Sequence, residues 1–167
     1  GQPGPIFIEV PTNVGRGQAD IPDYIPAVRY IRTMGDLQRI MQATELILNA
    51  RSPLIVAGGG ARRSEAHDEI KALAELLGAP VMTTPSGRGS IEEDHALAFG
   101  QVGLYRTRLG IETYAETDLL ITVGSRNEEF QTGSWRHLPE NAKLIQIDIE
   151  SFELSRNWVS DVPILGD

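Results

Sequence analysis

The sequence predicts an α/β fold: a doubly wound, parallel sheet of five or six strands between two layers of helices. Three observations predict it. Short apolar runs recur along the chain and alternate with segments of helical period, the signature of βα units. The runs are continuous rather than alternating, as in residues 54–57 (LIVA) and 119–123 (LLITV), and continuous runs belong to strands buried on both faces. Both of these runs stop at glycine, at Gly58-Gly59-Gly60 and at Gly124. A chain without Cβ atoms there can turn tightly and leave N–H groups open to a ligand.

Residues 1–33 read as a tail and linker, and residues 34–167 as the domain. The tail holds a short strand, residues 6–10 (IFIEV), bracketed by Pro5 and Pro11. Gly15, Gly17, Pro22 and Pro26 follow among polar residues with no helical period, which is linker chemistry. A strand without a neighbour in sequence either adds to a sheet edge or belongs to another sheet, and the second reading is preferred. Helical spacing begins at Asp36, where Leu37, Ile40, Met41, Thr44, Ile47 and Leu48 share one face. Strand 54–57 and the glycine turn come next. Ser64 is expected to cap the following helix through its hydroxyl. That helix places Ile70, Leu73, Ala74 and Leu77 on one face, and Gly78 ends it. Residues 80–83 form a strand, followed by glycine-rich Ser86-Gly87-Arg88-Gly89. A third helix is expected over residues 107–116, then strand 119–123 and a long polar loop. Residues 144–148 (LIQID) and 162–165 (VPIL) are the last two strands.

A chain of 167 residues suffices for one domain with a real core. Its 41% apolar and 23% charged residues are ordinary for a globular protein. A net charge of −8, with no basic cluster beyond Arg62-Arg63, argues against a nucleic-acid partner. No apolar run approaches the ~18 residues of a membrane-spanning helix. The absence of cysteine excludes disulfides, thiolate zinc sites and cysteine nucleophiles. There is no charged-then-apolar leader, so a cytoplasmic location is expected.

Ligands of such sheets sit outside the carboxyl ends of the strands. That places the candidates at residues 58–61, 83–85, 124–127, 148–150 and 166–167. Gly58, Gly59 and Gly60 either face a ligand or merely permit a steric turn. The dinucleotide fingerprint G-x-G-x-x-G is not met, because Arg63 stands where the third glycine belongs, and no Gly-Lys-Ser/Thr marks a P-loop. Arg126 either forks onto a phosphate or pairs with Glu128 or Glu129. Asp148 either accepts a ribose hydroxyl or caps the following turn. Thr84 and Ser86 either bond a phosphate or organise their own loop. His67, His95 and His137 have no metal-spaced partner and read as surface or structural residues. Glu92-Glu93-Asp94 reads as a solvated turn. Trp135 and Trp158 read as packing anchors or contacts to a neighbouring domain. No nucleophile elbow, triad or catalytic carboxylate pair is found, so no catalytic residue or metal ligand is assigned.

Several stretches taken together resemble a known family. Gly4-Pro5-Ile6-Phe7-Ile8-Glu9-Val10-Pro11 resembles the segment that closes the first, pyrimidine-binding domain of thiamine-diphosphate enzymes of the acetolactate synthase type. LIVAGGGA, Gly78-Ala79-Pro80-Val81, DLLITVGSR ending at Arg126, IQIDI ending at Ile149, Asn157 and the Gly166-Asp167 pair resemble successive landmarks of their central, Rossmann-like domain. The resemblance implies a three-domain parent that uses thiamine diphosphate and Mg2+ to decarboxylate a 2-keto acid or to join its acyl unit to an acceptor. The sites for both would lie outside this chain, which alone would be inactive. Partners implied are the other domains of the parent and, in a homo-oligomer, sister subunits. In several relatives the central domain binds FAD or an ADP moiety. By resemblance, such contacts would fall on Gly58, Gly59, Gly60, Thr84, Pro85, Gly100, Gln101, Val102, Gly124, Arg126, Asp148, Ile149 and Asp167. Two departures weigh against FAD. Gly100-Gln101-Val102-Gly103 replaces a Gly-Met-His-Gly pattern, and Arg126-Asn127-Glu128-Glu129-Phe130 replaces Arg-Phe-Asp-Asp-Arg. Two other readings stay open: an architectural module that binds no nucleotide, and a stand-alone nucleotide-binding domain. A sirtuin-like deacylase, which normally carries a four-cysteine zinc module, is opposed by the lack of cysteine.

Overall fold

The computed structural model describes residues 4–20, 23, 25–26 and 31–167. Its strands are β1 (Pro53–Ala57), β2 (Val81–Thr83), β3 (Ala98–Gln101), β4 (Leu119–Val123), β5 (Lys143–Asp148) and β6 (Val162–Leu165). They form one sheet in the order β3-β2-β1-β4-β5-β6, and every pairing is parallel. Helices are α1 (Thr12–Gly15), α2 (Leu37–Asn49), α3 (Gly59–Arg63), α4 (His67–Leu77), α5 (Arg108–Glu116) and α6 (Glu129–Thr132). The strand order reverses between β1 and β4, which makes their carboxyl ends the topological switch point.

The continuous apolar runs are explained by two cores, one on each face of the sheet. Ile55, Ala57, Leu119 and Ile121 face a cluster that includes Ala43 of α2, Ala61 of α3, and Ile70 and Ala74 of α4. Leu54, Val56 and Leu120 point the other way, toward Val102, Tyr114 of α5 and Trp158. Helix ends follow local chemistry. Asp36 accepts a hydrogen bond from the Arg39 N–H at 3.0 Å and opens α2. Thr107 accepts from the Gly110 N–H at 3.1 Å and opens α5. Gly78, at φ +59°, closes α4 in the left-handed region.

Several expectations are corrected. Residues 6–10, expected as a short strand of another sheet, take no strand conformation here and lie exposed, and α1 occupies one turn of the stretch read as linker. Pro22 lies outside the described residues. Ser64 does not cap the helix that follows it. It comes just after the end of α3 and its hydroxyl donates to Asp167 Oδ1, while α4 begins without a side-chain cap. On α2, Leu37, Met41 and Leu48 are 63%, 66% and 79% exposed, whereas Ala43, Leu46 and Ile47 meet the core. Of these, only the small Ala43 side chain is fully buried. Strand β3 escapes the sequence reading because AFGQ is a partly exposed edge strand without an apolar run. Helix α6 escapes it because a single turn carries no readable period.

Candidate functional site

Register brings the strand ends into one row. Ala57 pairs with Thr83 and with Val123, and Val123 pairs with Ile147. The next residues, Gly58, Thr84, Gly124 and Asp148, therefore emerge side by side. The row is tied together by backbone bonds from Gly58 N–H to Val123 O at 2.8 Å, Thr84 N–H to Ala57 O at 3.0 Å, and Gly124 N–H to Ile147 O at 2.8 Å. Above it lies a crevice of about 250 Å³, lined in part by Gly59, Gly60, Thr84, Gly124, Arg126, Asp148 and Ile149.

The three glycines divide the labour. A Cβ on Gly58 would strike the Gly124 carbonyl oxygen, and one on Gly60 would sit 2.6 Å from Gly124 Cα. The Gly60 N–H already donates to Gly124 O at 3.0 Å. These two residues are glycine so that two strand ends can cross. A Cβ on Gly59 would meet no backbone within 3.5 Å; its nearest contact is Ser86 Cβ across the crevice, at 2.9 Å. Gly59 is also tightly packed, but against the Ser86 side chain rather than against backbone.

The remaining expected residues do not all reach the crevice. Pro85 starts the short 3₁₀ turn Pro85–Gly87, whose Ser86 lines the crevice. Asp167 touches the rim indirectly, by holding Ser64. Gly100 and Gln101 line a different cleft of about 570 Å³ beside β3, and Val102 is buried in the second core. These three residues do not join the crevice, because β3 is two strands away from β1.

Arg126 pairs with neither Glu128 nor Glu129. Its Nε lies 3.8 Å from Glu153 Oε1, which also accepts from Arg156 Nη1 at 3.0 Å. Asp148 Oδ1 accepts from the Glu150 N–H at 2.9 Å, so it does cap the next turn, while Asp148 also lines the crevice. Burial pushes the Asp148 carboxyl above its ordinary value; the nearby charge of Glu153 adds to this, against the opposing N–H of Glu150. The ionised form is thus disfavoured by folding, and this group's contribution to stability is fully present below the ordinary Asp pKa and lost as pH rises through the raised one. Asp148→Asn keeps the acceptor for Glu150. It is expected to raise the unfolding midpoint at pH 7, with the gain vanishing as pH falls into the ordinary carboxyl range. A pH series of urea melts checks this.

Sequence reasoning placed Ser125 and Asn127 among the strand-end candidates but missed the rest of the site's floor, Gln131, Gln146 and Glu153. Ser125, Asn127, Gln131, Gln146 and Glu153 are all buried. Gln131 Nε2 donates to Ser125 Oγ at 2.6 Å and to Asn127 Oδ1 at 3.2 Å. Gln146 Nε2 donates to Glu153 O at 2.9 Å and to Ser125 O at 3.3 Å, while its Oε1 accepts from the Ser155 N–H at 2.8 Å. Among the described residues, no three His, Cys, Asp or Glu side chains are grouped to hold a metal. Of the histidines, His95 bonds Glu75 at 3.1 Å as a structural residue would. No helix is long and apolar enough to cross a membrane among the described residues.

Fold and crevice define the class: a doubly wound domain whose polar hollow sits at the topological switch point of its sheet. The chain belongs to the thiamine pyrophosphate enzyme central domain family, which it matches over residues 40–167. It is similar to the probable acetolactate synthase large subunit of Methanococcus aeolicus, at 40% identity over all of this chain and 29% of the relative. It is also similar to the acetolactate synthase of Arthrospira platensis, at 38% identity over all of this chain and 30% of the relative. An X-ray structure described as that of a putative thiamin diphosphate-dependent enzyme from Mycobacterium smegmatis matches 84% of this chain and 28% of its own, with a TM-score of 0.67 and 32% identity. The chain thus spans only 29% of the length of the Methanococcus aeolicus protein and 30% of that from Arthrospira platensis. The resemblance read from the landmarks and the all-parallel fold are both borne out.

Proposed function

We propose that this chain serves as the middle domain of a larger acetolactate synthase-like enzyme that decarboxylates a 2-keto acid or transfers its acyl unit. Thiamine diphosphate, with Mg2+, would supply the carbanion chemistry from domains outside this chain. Residues 1–33 then belong to the end of a preceding pyrimidine-binding domain and its linker, in keeping with an exposed 6–10 segment that joins no sheet among the described residues. A cytoplasmic homo-oligomer is the setting this reading implies. The domain's own task is to hold its neighbours apart and to bind the ADP moiety of a nucleotide in the switch-point crevice. Gly59, Thr84 and Ser86 would flank the phosphates, Arg126 would meet their charge, and Asp148 with Ile149 would face the ribose and base.

The observation that carries the nucleotide reading is the convergence of these polar groups on one hollow at the point where strand order reverses. Its 250 Å³ falls below the roughly 300–1,000 Å³ of sites for drug-sized ligands. A whole FAD would therefore extend beyond what this chain alone encloses. One observation favours the architectural reading instead: Gly58 and Gly60 direct their N–H groups to acceptors within the protein. Titration calorimetry with ADP and with FAD separates the two. The nucleotide reading expects micromolar or tighter binding, about 8 kcal/mol; no heat at millimolar ligand establishes the architectural one. Incubation of this chain with pyruvate and thiamine diphosphate is expected to give no turnover under either.

A further inference from the structure

Residues 33–35 and 166–167 meet at one corner of the domain. A Cβ on Gly35 would lie 2.6 Å from Ile164 Cγ2, and one on Gly166 would lie 2.9 Å from the Gly35 nitrogen. Two glycines thus let two backbones touch. The Asp167 N–H donates to Thr33 O at 2.9 Å. Beside this joint Arg32 faces Glu65 at 3.9 Å, but both side chains are exposed and the contact holds the joint weakly. The domain is therefore fastened to the residues before it chiefly through Gly166 and Asp167.

The same two residues are bonded to the crevice. The Gly166 N–H donates to Asp148 O at 3.0 Å, and Asp167 Oδ1 accepts from the Ser64 hydroxyl. Ser64 and Asp148 both line the crevice. Two hydrogen bonds in series thus run from the crevice wall to the joint, from Ser64 to Asp167 and from Asp167 to Thr33. The first is exclusive, because a serine hydroxyl has one proton to give and Asp167 takes it. An anionic oxygen that took this proton would deprive Asp167 of its donor and set a second negative charge beside it. Asp167 is exposed, so it can swing out to water.

Resting on the reading of the crevice as a nucleotide site, we propose that Ser64, Asp167 and Thr33 form a clasp that a bound nucleotide opens. A phosphate oxygen competes with Asp167 for the Ser64 hydroxyl. The released Asp167 loosens its hold on Thr33, and residues 33–35 gain freedom. Occupancy of the crevice is thereby felt where the domain joins the residues before it, without any reaction in the domain itself. Such coupling is reciprocal: a change that opens the clasp tightens nucleotide binding by the same factor.

The test is NMR of the full chain, of Asp167→Ala and of Ser64→Ala, each with and without ADP, beside calorimetric titration of all three. In the unaltered chain ADP is expected to speed exchange of the Gly166 and Asp167 amides and to lower the order parameters of residues 33–35. In Asp167→Ala the joint is loose before ligand is added, ADP changes it no further, and ADP binds about fivefold tighter, the low end of usual couplings because Asp167 is exposed. Ser64→Ala loosens the joint equally but binds ADP no tighter, because the contested donor is gone. ADP binding that leaves the joint of the unaltered chain unchanged overturns the clasp and leaves the nucleotide reading intact. So does an Asp167→Ala joint as ordered as the unaltered one, or an affinity for ADP that does not rise in that variant. Failure of the unaltered chain and of Asp167→Ala to bind ADP at all removes the nucleotide reading itself, and this inference with it.

Discussion

Gly124→Ala is expected to cost about 4 kcal/mol or more, a large part of the roughly 5–15 kcal/mol that holds a domain of this size together. Two costs add at that position. Its φ of +59° is left-handed, where any Cβ is strained. The new Cβ would also meet the Ala61 amide nitrogen and lie 2.5 Å from Gly60 Cα. Both neighbours are backbone, so no side chain can swing aside. Relief requires β1 and β4 to separate at their carboxyl ends, and that separation breaks the bonds from Gly58 to Val123 and from Gly60 to Gly124. Gly78→Ala supplies the control. It has the same φ of +59° but nothing within 4 Å of its Cβ, so it bears the conformational cost alone, roughly 1 kcal/mol. Urea unfolding of both variants measures the difference. A Gly124→Ala midpoint equal to that of Gly78→Ala removes the crossing of strand ends as the reason for the glycines.

That contrast also explains what could be read from the sequence. The sheet was legible because strands buried on both faces must be apolar at nearly every position, as residues 54–57 and most of 119–123 are. The top of the sheet was legible because parallel register carries the residue after each strand to the same level. Edge strand β3 was not, since an edge has less surface to bury and its Ala-Phe-Gly-Gln carries no pattern. The glycine run was legible as a turn, but not which of its glycines packs against the neighbouring strand end. That depends on Gly124, more than sixty residues away in sequence. The floor of the crevice ran against hydropathy altogether. Phe130 and Phe152 point outward while Gln131 and Glu153 point inward, so any reading from residue type places them on the wrong sides. The signal that could have found them is indirect: Gln146 interrupts the apolar run of β5, Leu144 to Ile147, and a buried amide needs partners from the loops above it.

Gln146→Leu tests whether those partners matter. Gln146 is 1% exposed, at the centre of β5, and makes three bonds to loops that build the crevice wall. Leucine fills similar space but leaves Ser125 O, Glu153 O and the Ser155 N–H without it. Each orphaned buried group costs about 1–3 kcal/mol, and partial relaxation toward solvent is open to the Ser155 side, so a loss near 3 kcal/mol is expected in chemical denaturation. Apolar burial gained by leucine offsets about 1 kcal/mol at most. Gln146→Glu should be worse at neutral pH, because it sets a buried charge against two carbonyl oxygens; its deficit should shrink as acid protonates the new carboxyl. The loss should also be local before it is global: hydrogen exchange at residues 125–127 and 153–155 is expected to quicken, while β1 and β4 stay protected. The same loosening frees Arg126 from its fixed position, so a nucleotide bound as proposed should dissociate faster. If Gln146→Leu unfolds at the midpoint of the unaltered chain with unchanged exchange in both loops, the buried amide does not organise the site, and the crevice wall must be held by the packing of Trp158 and Leu144 beneath it.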